Sequence, residues 1–230
     1  MEKILFFLSS INYRVKNPVY TLLYAFFALI IYVFMFVNVN AQEIKILDLS
    51  NEDRQKLQLV ENYLNSISTL KARFFQISPE GVNTEGTFYL RRPGKIRVEY
   101  DPPSPLLIVG DGFLLHYHDK ELGQINDWPI FDTPLGALSD DSIRLNEELV
   151  VTSFKSEHGS IKLRLIQRSD PALGGITLFF SDSPIVLKQW AIDDAQGMLT
   201  RIILFEIEKN LKLDPRLFIF DDPRKQTNIR

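Results

Sequence analysis

Residues 85 to 100 read Glu85-Gly86-Thr87-Phe88-Tyr89-Leu90-Arg91-Arg92-Pro93-Gly94-Lys95-Ile96-Arg97-Val98-Glu99-Tyr100, two runs rich in aromatic and aliphatic side chains on either side of a Pro-Gly pair. Proline fixes one φ and glycine accepts a positive one, so the pair predicts a turn between strands at 84–92 and 95–101. Successive side chains of a strand point to opposite faces. Ile96, Val98 and Tyr100 therefore share one face, and Arg97, Glu99 and Asp101 the other.

The same pattern extends in both directions. Downstream, strands are expected at 106–110, 113–118 and 123–127, separated by Pro102-Pro103-Ser104-Pro105, Gly110-Asp111-Gly112 and His118-Asp119-Lys120-Glu121. They add Leu106, Ile108, Leu115 and Tyr117 to the apolar face. Upstream, a strand at 70–77 ends in the turn Ser78-Pro79-Glu80-Gly81 and follows an amphipathic helix over 48–69, where Leu57, Val60, Leu64 and Ile67 recur at spacings of three and four. Asp132-Thr133-Pro134 can cap a short helix running to about Leu138. Further strands are expected at 148–156, 160–167, 175–180, 185–192, 198–207 and 216–220, with Ala195-Gln196-Gly197 turning one pair. Eleven or twelve strands with local connections must curl strongly or close to avoid long exposed edges. The expected fold is mainly β: a barrel-like antiparallel sheet with a few helices over one opening.

The chain has 230 residues, 45% of them apolar, and no cysteine, enough to build one core. Positions 19–37, VYTLLYAFFALIIYVFMFV, are uncharged, a length that suits a signal-peptide core or a membrane span. Lys3, Arg14 and Lys16 precede this run. Val39 and Ala41 stand at the −3 and −1 positions of a signal-peptidase site, so residues 1–41 are expected to be a cleaved signal peptide, with an uncleaved anchor as the alternative. Either way residues 42–230 are placed outside the cytoplasm, in the periplasm. Loss of Glu2, Lys3, Arg14 and Lys16 takes the formal net charge from −3 to −5, the wrong sign for gathering phosphates, and nucleic acid is not an expected partner. Without cysteine the chain has no disulfide and no thiol to be lipidated.

Catalytic signatures are missing: there is no G-x-S-x-G elbow, no H-E-x-x-H helix and no cysteine nucleophile, and Gly110-Asp111-Gly112 lacks the third glycine of a dinucleotide loop. His116 and His118 flank Tyr117 on one strand face and could make half of a metal site. With His158 the only other histidine, a hydrated strand end is the better reading. Neither an enzyme nor a metal centre is expected. The apolar face of the curled sheet lines a trough, which periodicity alone allows to be filled by the long helix and its own side chains or left open for a ligand.

An ordered set of motifs narrows this choice. Ser68-Thr69-Leu70-Lys71-Ala72-Arg73-Phe74-Phe75-Gln76 follows the helix; then come the 85–100 stretch, Leu107-Ile108-Val109-Gly110-Asp111-Gly112, Thr133-Pro134-Leu135-Gly136-Ala137-Leu138 and Asp214-Pro215-Arg216-Leu217-Phe218-Ile219-Phe220. In order and spacing these resemble the outer-membrane lipoprotein carrier protein family, LolA, across nearly all of the exported part. The resemblance implies an incomplete, unclosed antiparallel β-barrel of about eleven strands with a helical lid over an apolar cavity. It implies a monomeric periplasmic chaperone that takes acylated lipoproteins from an inner-membrane lipoprotein-releasing ABC transporter, shields their acyl chains and delivers them to an outer-membrane acceptor or membrane, with no cofactor and no covalent step. Only Pro102-Pro103-Ser104-Pro105 bridges the third and fourth strands, where the related acceptor carries a longer loop with an apolar tip, which favours a carrier. A lipid-sensing regulatory domain and an anchored protein for another amphiphile are the alternatives on the same half-barrel.

Site residues follow from the same resemblance. Arg92 matches the arginine that holds the lid through its backbone carbonyls, a task that suits the rigid fork of guanidinium donors. Leu135 and Leu138 fall in the lid-like short helix, and Leu64 on the long helix is expected to press into the trough. Phe74, Ile96, Val98, Tyr100, Leu106, Ile108, Leu115 and Tyr117 complete the expected cavity lining. Ile96 stands where family members often carry a larger aromatic.

Overall fold

The computed structural model describes residues 47–226; the apolar run at 19–37 and the expected cleavage point after Ala41 lie outside them. The long helix, α1, spans Asn51–Asn65. Ser50 caps it by accepting the Asp53 amide at 3.1 Å, and Glu52 and Asp53 place negative charge in the first turn, where the helix dipole favours it. Leu57, Val60, Tyr63 and Leu64 form its buried stripe. It is shorter than the periodicity suggested. The Ser66 hydroxyl donates to the Tyr63 carbonyl at 2.7 Å, and Ser66-Ile67-Ser68-Thr69 are residues that compete with or crowd a helix; Ile67 is buried beyond the helix end.

Eleven strands follow: β1 Thr69–Ile77, β2 Asn83–Arg91, β3 Lys95–Tyr100, β4 Leu106–Asp111, β5 Leu114–Asp119, β6 Gln124–Pro129, β7 Leu149–Glu157, β8 Ser160–Gln167, β9 Gly175–Asp182, β10 Ile185–Asp193 and β11 Leu199–Lys209. They form one antiparallel sheet in the order β6-β5-β4-β3-β2-β1-β11-β10-β9-β8-β7. Two meanders, β1–β6 and β7–β11, therefore meet where β1 pairs with β11. β6 and β7 end the order unpaired with each other, so the sheet is an unclosed barrel. Each edge is blunted rather than left as an open template. Asn146 accepts the Val151 amide of β7 through Oδ1 at 3.1 Å, while β6 ends in Pro129 and its Asp127 is tied to Arg224 at 2.8 Å.

The segment from 130 to 148 connects the two edge strands and supplies the cover. It contains a 3-10 turn, Ile130–Asp132, and a four-residue helix, α2, Pro134–Ala137. Thr133 caps α2, its hydroxyl oxygen accepting the Gly136 amide at 3.0 Å. A Cβ on Gly136 would lie 1.7 Å from the Ile130 carbonyl oxygen, so only glycine lets the two turns close on each other.

The expected strand at 216–220 is not one. Pro215–Phe218 is a 3-10 turn started by Asp214, whose side chain accepts the Arg216 amide at 2.9 Å. This tail lies over β3 and β4, which are interior strands with no free edge to pair. It is held instead by Arg97 donating to the Leu217 carbonyl at 3.2 Å and by burial of Phe218. A last turn, α3, occupies Pro223–Gln226.

Candidate functional site: an apolar hollow under a pinned cover

The packing of the sheet's inner face leaves a hollow of about 260 Å³. Its floor is aromatic. Phe74 of β1 and Tyr100 of β3 are both register partners of Gly86 on β2, and their rings meet edge to face with centroids 5.2 Å apart. A Cβ on Gly86 would lie 2.6 Å from the Phe74 ring; the glycine is the space that ring occupies. Phe88 and Trp190 meet in the same manner at 5.2 Å. Val98, Ile108, Ile192 and Ile202 complete the apolar wall, and Leu135 reaches it from α2. None of the lining residues is charged.

Polar groups stand at its margin. The Tyr100 hydroxyl donates to Gln76 Oε1 at 2.8 Å, and burial pushes the phenol pKa up to about 12, only partly relieved by that bond. Thr200 is the other polar lining residue.

Five of the residues expected from sequence come together here: Phe74, Val98, Tyr100, Ile108 and Leu135. Ile96, Leu64 and Leu138 lie elsewhere, in the packed core. Leu64 is displaced because α1 packs against β7 and β10 and so fills the other half of the trough. Leu115 is partly buried against the core. Leu106 is half-buried, and Tyr117 sets its ring edge to face with Trp128 at 6.5 Å. Neither is among the residues lining the hollow. Phe88, Trp190, Ile192 and Ile202 line it without having been singled out. Alternation carried along 84–92, 185–192 and 198–207 points each of them to one face, but only the β1–β11 pairing says that those faces are shared.

The cover is held by its backbone. Arg92 Nη1 donates to the Asp140 carbonyl at 2.8 Å, and the Gly94 amide donates to the Ser139 carbonyl at 2.9 Å. From the helix side, Asn65 Nδ2 donates to the Ile143 carbonyl at 2.9 Å while its Oδ1 accepts the Ile143 amide at 2.8 Å. Glu61 accepts the Leu145 amide at 2.8 Å, and Gln167 donates to the Phe131 carbonyl at 2.6 Å. Burial pushes the Arg92 guanidinium down to about 10, against the raising influence of Asp140 and Asp141. Its Nε is buried without a hydrogen-bond partner among the described residues.

The histidine pair is not at a hydrated strand end. The tail folds back over this face: Phe220 stacks on His116 at 4.5 Å and meets His118 edge to face at 5.8 Å, and His116 is buried with Nδ1 2.7 Å from Asp127 Oδ1. Asp101, on the opposite strand face from Tyr100, accepts a hydrogen bond from Arg73 at 3.1 Å.

A sequence model described as "Outer membrane lipoprotein carrier protein LolA" matches residues 65–221. Proteins named outer-membrane lipoprotein carrier protein are similar along most of their length. One from Azotobacter vinelandii is 30% identical over 181 residues, covering 74% of this chain and 86% of its own. One from Pseudomonas paraeruginosa is 28% identical over 182 residues, covering 75% and 86%. Among solved structures, a LolA superfamily protein from Nitrosomonas europaea overlaps 74% of this chain and 98% of its own at 10% identity and a TM-score of 0.41, an overlap that decides nothing about ligand.

Proposed function

Because this chain belongs to the outer membrane lipoprotein carrier protein family, we propose that it is a periplasmic carrier whose hollow shields the acyl chains of lipoproteins on their way from the inner to the outer membrane. Residues 1–41 serve export in this reading, and 42–230 form the carrier. It works by burial and release, with no covalent step.

The observation that carries the reading is the uncharged, aromatic-floored hollow that Leu135 reaches from a cover pinned through its backbone. Each methylene withdrawn from water is worth about 0.8 kcal/mol, so an acylated protein leaves a bilayer only for comparable apolar surface. The same number makes release difficult if that surface is permanently open. At about 260 Å³ the hollow is smaller than the roughly 300–1,000 Å³ of ordinary ligand sites, and several acyl chains require the cover to swing away. Closing the cover again recovers the Arg92 and Gly94 bonds to residues 139–140, which makes the empty state competitive and lowers net affinity. Transfer partners at the two membranes are part of this proposal, in the form of a lipoprotein-releasing transporter and an outer-membrane acceptor or surface.

The test is reconstitution. The chain produced with its export segment and recovered from the periplasm is expected to copurify with acylated protein and to pass it to outer-membrane vesicles. Recovery free of any acylated ligand, with none taken up from inner-membrane vesicles containing the transporter, counts against the reading.

A further inference from the structure

The hollow is apolar over most of its wall and polar at one end only. Gln76, Thr84, Tyr100 and Thr200 occupy β1, β2, β3 and β11, beside the turns at 78–82, 101–105 and 194–198, the end of the sheet away from Pro93-Gly94. Thr84 is the register partner of Gln76 and shares the inner face with Gly86 and Phe88. Its Oγ1 is buried with no hydrogen-bond partner among the described residues, but Thr84 borders the cleft beside Asp101 and Pro102 and not the hollow itself. Tyr100 spends its proton on Gln76 Oε1, and among the described residues no hydrogen bond engages the Gln76 amide nitrogen or the Thr200 hydroxyl. The margin thus offers neutral donors without a cation. The arginines nearest to it on these strands, Arg201 of β11 and Arg73 of β1, both alternate to the outer face; Arg201 is exposed and Arg73 is engaged by Asp101 and Thr87.

Resting on the carrier reading above, we infer that Gln76, Tyr100 and Thr200 form a neutral polar collar that receives the ester or amide carbonyl joining an acyl chain to its head, and so selects acylated, uncharged linkages over free fatty acids. A carbonyl sliding in behind its chain loses water and needs a replacement donor. The Gln76 amide and the hydroxyls supply one. A carboxylate at the same depth could take the same donors, but it loses far more hydration and finds no compensating positive charge.

Displacement of an apolar fluorophore, N-phenyl-1-naphthylamine, from the full chain by methyl laurate, N-methyl lauramide and laurate at pH 8 tests this. The ester and amide are expected to displace the dye about ten-fold better than laurate, and Gln76→Leu with Thr200→Val is expected to remove about ten-fold of their affinity relative to that of the dye, equivalent to ~1.4 kcal/mol, which brings them level with laurate. Tyr100→Phe, which keeps the ring contact with Phe74, is expected to act in the same direction should the double variant fold poorly. Laurate binding as tightly as its ester, or variants that leave ester and amide affinity unchanged, overturns the collar and leaves the hollow standing. A chain that binds neither dye nor laurate derivative overturns the carrier reading itself.

Discussion

Arg92 and Asp140 are joined by a single hydrogen bond, guanidinium Nη1 to backbone carbonyl at 2.8 Å, across 48 residues of chain. It ties the end of the β2–β3 hairpin to the stretch just after α2. The partner is a carbonyl, so the contact does not depend on which side chain stands at 140. The bond is also poorly rewarded on the arginine side, since burial lowers the guanidinium pKa to about 10 and Nε is left without a partner. A contact of modest net worth suits a cover that must open.

Arg92→Leu should leave stability within about 2 kcal/mol, because removing a half-satisfied buried cation offsets the orphaned Asp140 carbonyl. Loading should persist and delivery should slow, since the closed empty state loses its latch. Urea denaturation and transfer to outer-membrane vesicles read the two effects separately. Unchanged transfer would remove Arg92 from the mechanism.

Gly136→Ala should open the cover without unfolding the sheet. The new Cβ would sit 1.7 Å from the Ile130 carbonyl oxygen, a backbone atom that cannot rotate aside, so the two turns must part. Amide exchange is expected to accelerate in residues 130–148 alone, with more apolar dye bound at rest. Acceleration spread evenly over β1–β11 would mean that the cover is not an independent unit.

How far these features were legible in the sequence depends on their range. The hairpin at 85–100 was readable because Pro93-Gly94 and the alternation of Ile96, Val98 and Tyr100 are local. The hollow was readable on that side only. Trp190 and Ile202 become its wall through the β1–β11 pairing, which joins residues more than a hundred positions apart, and no local signal marks that closure. Leu64 shows the limit of helical periodicity: an apolar stripe demands a partner without saying which half of the trough it fills. Phe218 and Phe220 alternate like a strand, yet Pro215 and the lack of a free sheet edge turn the tail into a strap. That strap buries His116, which its sequence context reads as part of a hydrated strand end.

Ile108→Glu should weaken acyl uptake while leaving export intact. Ile108 is half-buried on the hollow's wall, where a carboxylate finds no cation to pair with and is pushed toward its neutral form. Affinity for an acyl probe is expected to fall at least about ten-fold at pH 8 and to recover in part at pH 5 as the new group protonates. A variant that loads normally at both values would show that chains do not pass this strand.

Acid should release the tail before it melts the sheet. The bond from Arg224 holds the Asp222 carboxyl down to about 2, outweighing its partial burial. At Asp127 burial acts upward, but hydrogen bonds from His116 and Arg224 win and keep it below the usual carboxylate range. Carboxyls depressed in the folded state bind protons more readily when freed, so their stabilising effect is complete above about pH 4 and fades as pH falls toward 2. Arg224 fastens the strap that covers His116 to Asp127 of β6, and Asp222 orients that arginine from within the tail, whereas the sheet is held mainly by apolar contacts and backbone hydrogen bonds that do not titrate. The Phe220 ring stacked on His116 should therefore lose its ring-current signature in NMR spectra between pH 4 and 2, and Arg224→Gln should move that loss to higher pH. Simultaneous loss of the Phe74–Tyr100 contact over the same range would show that strap and sheet unfold together.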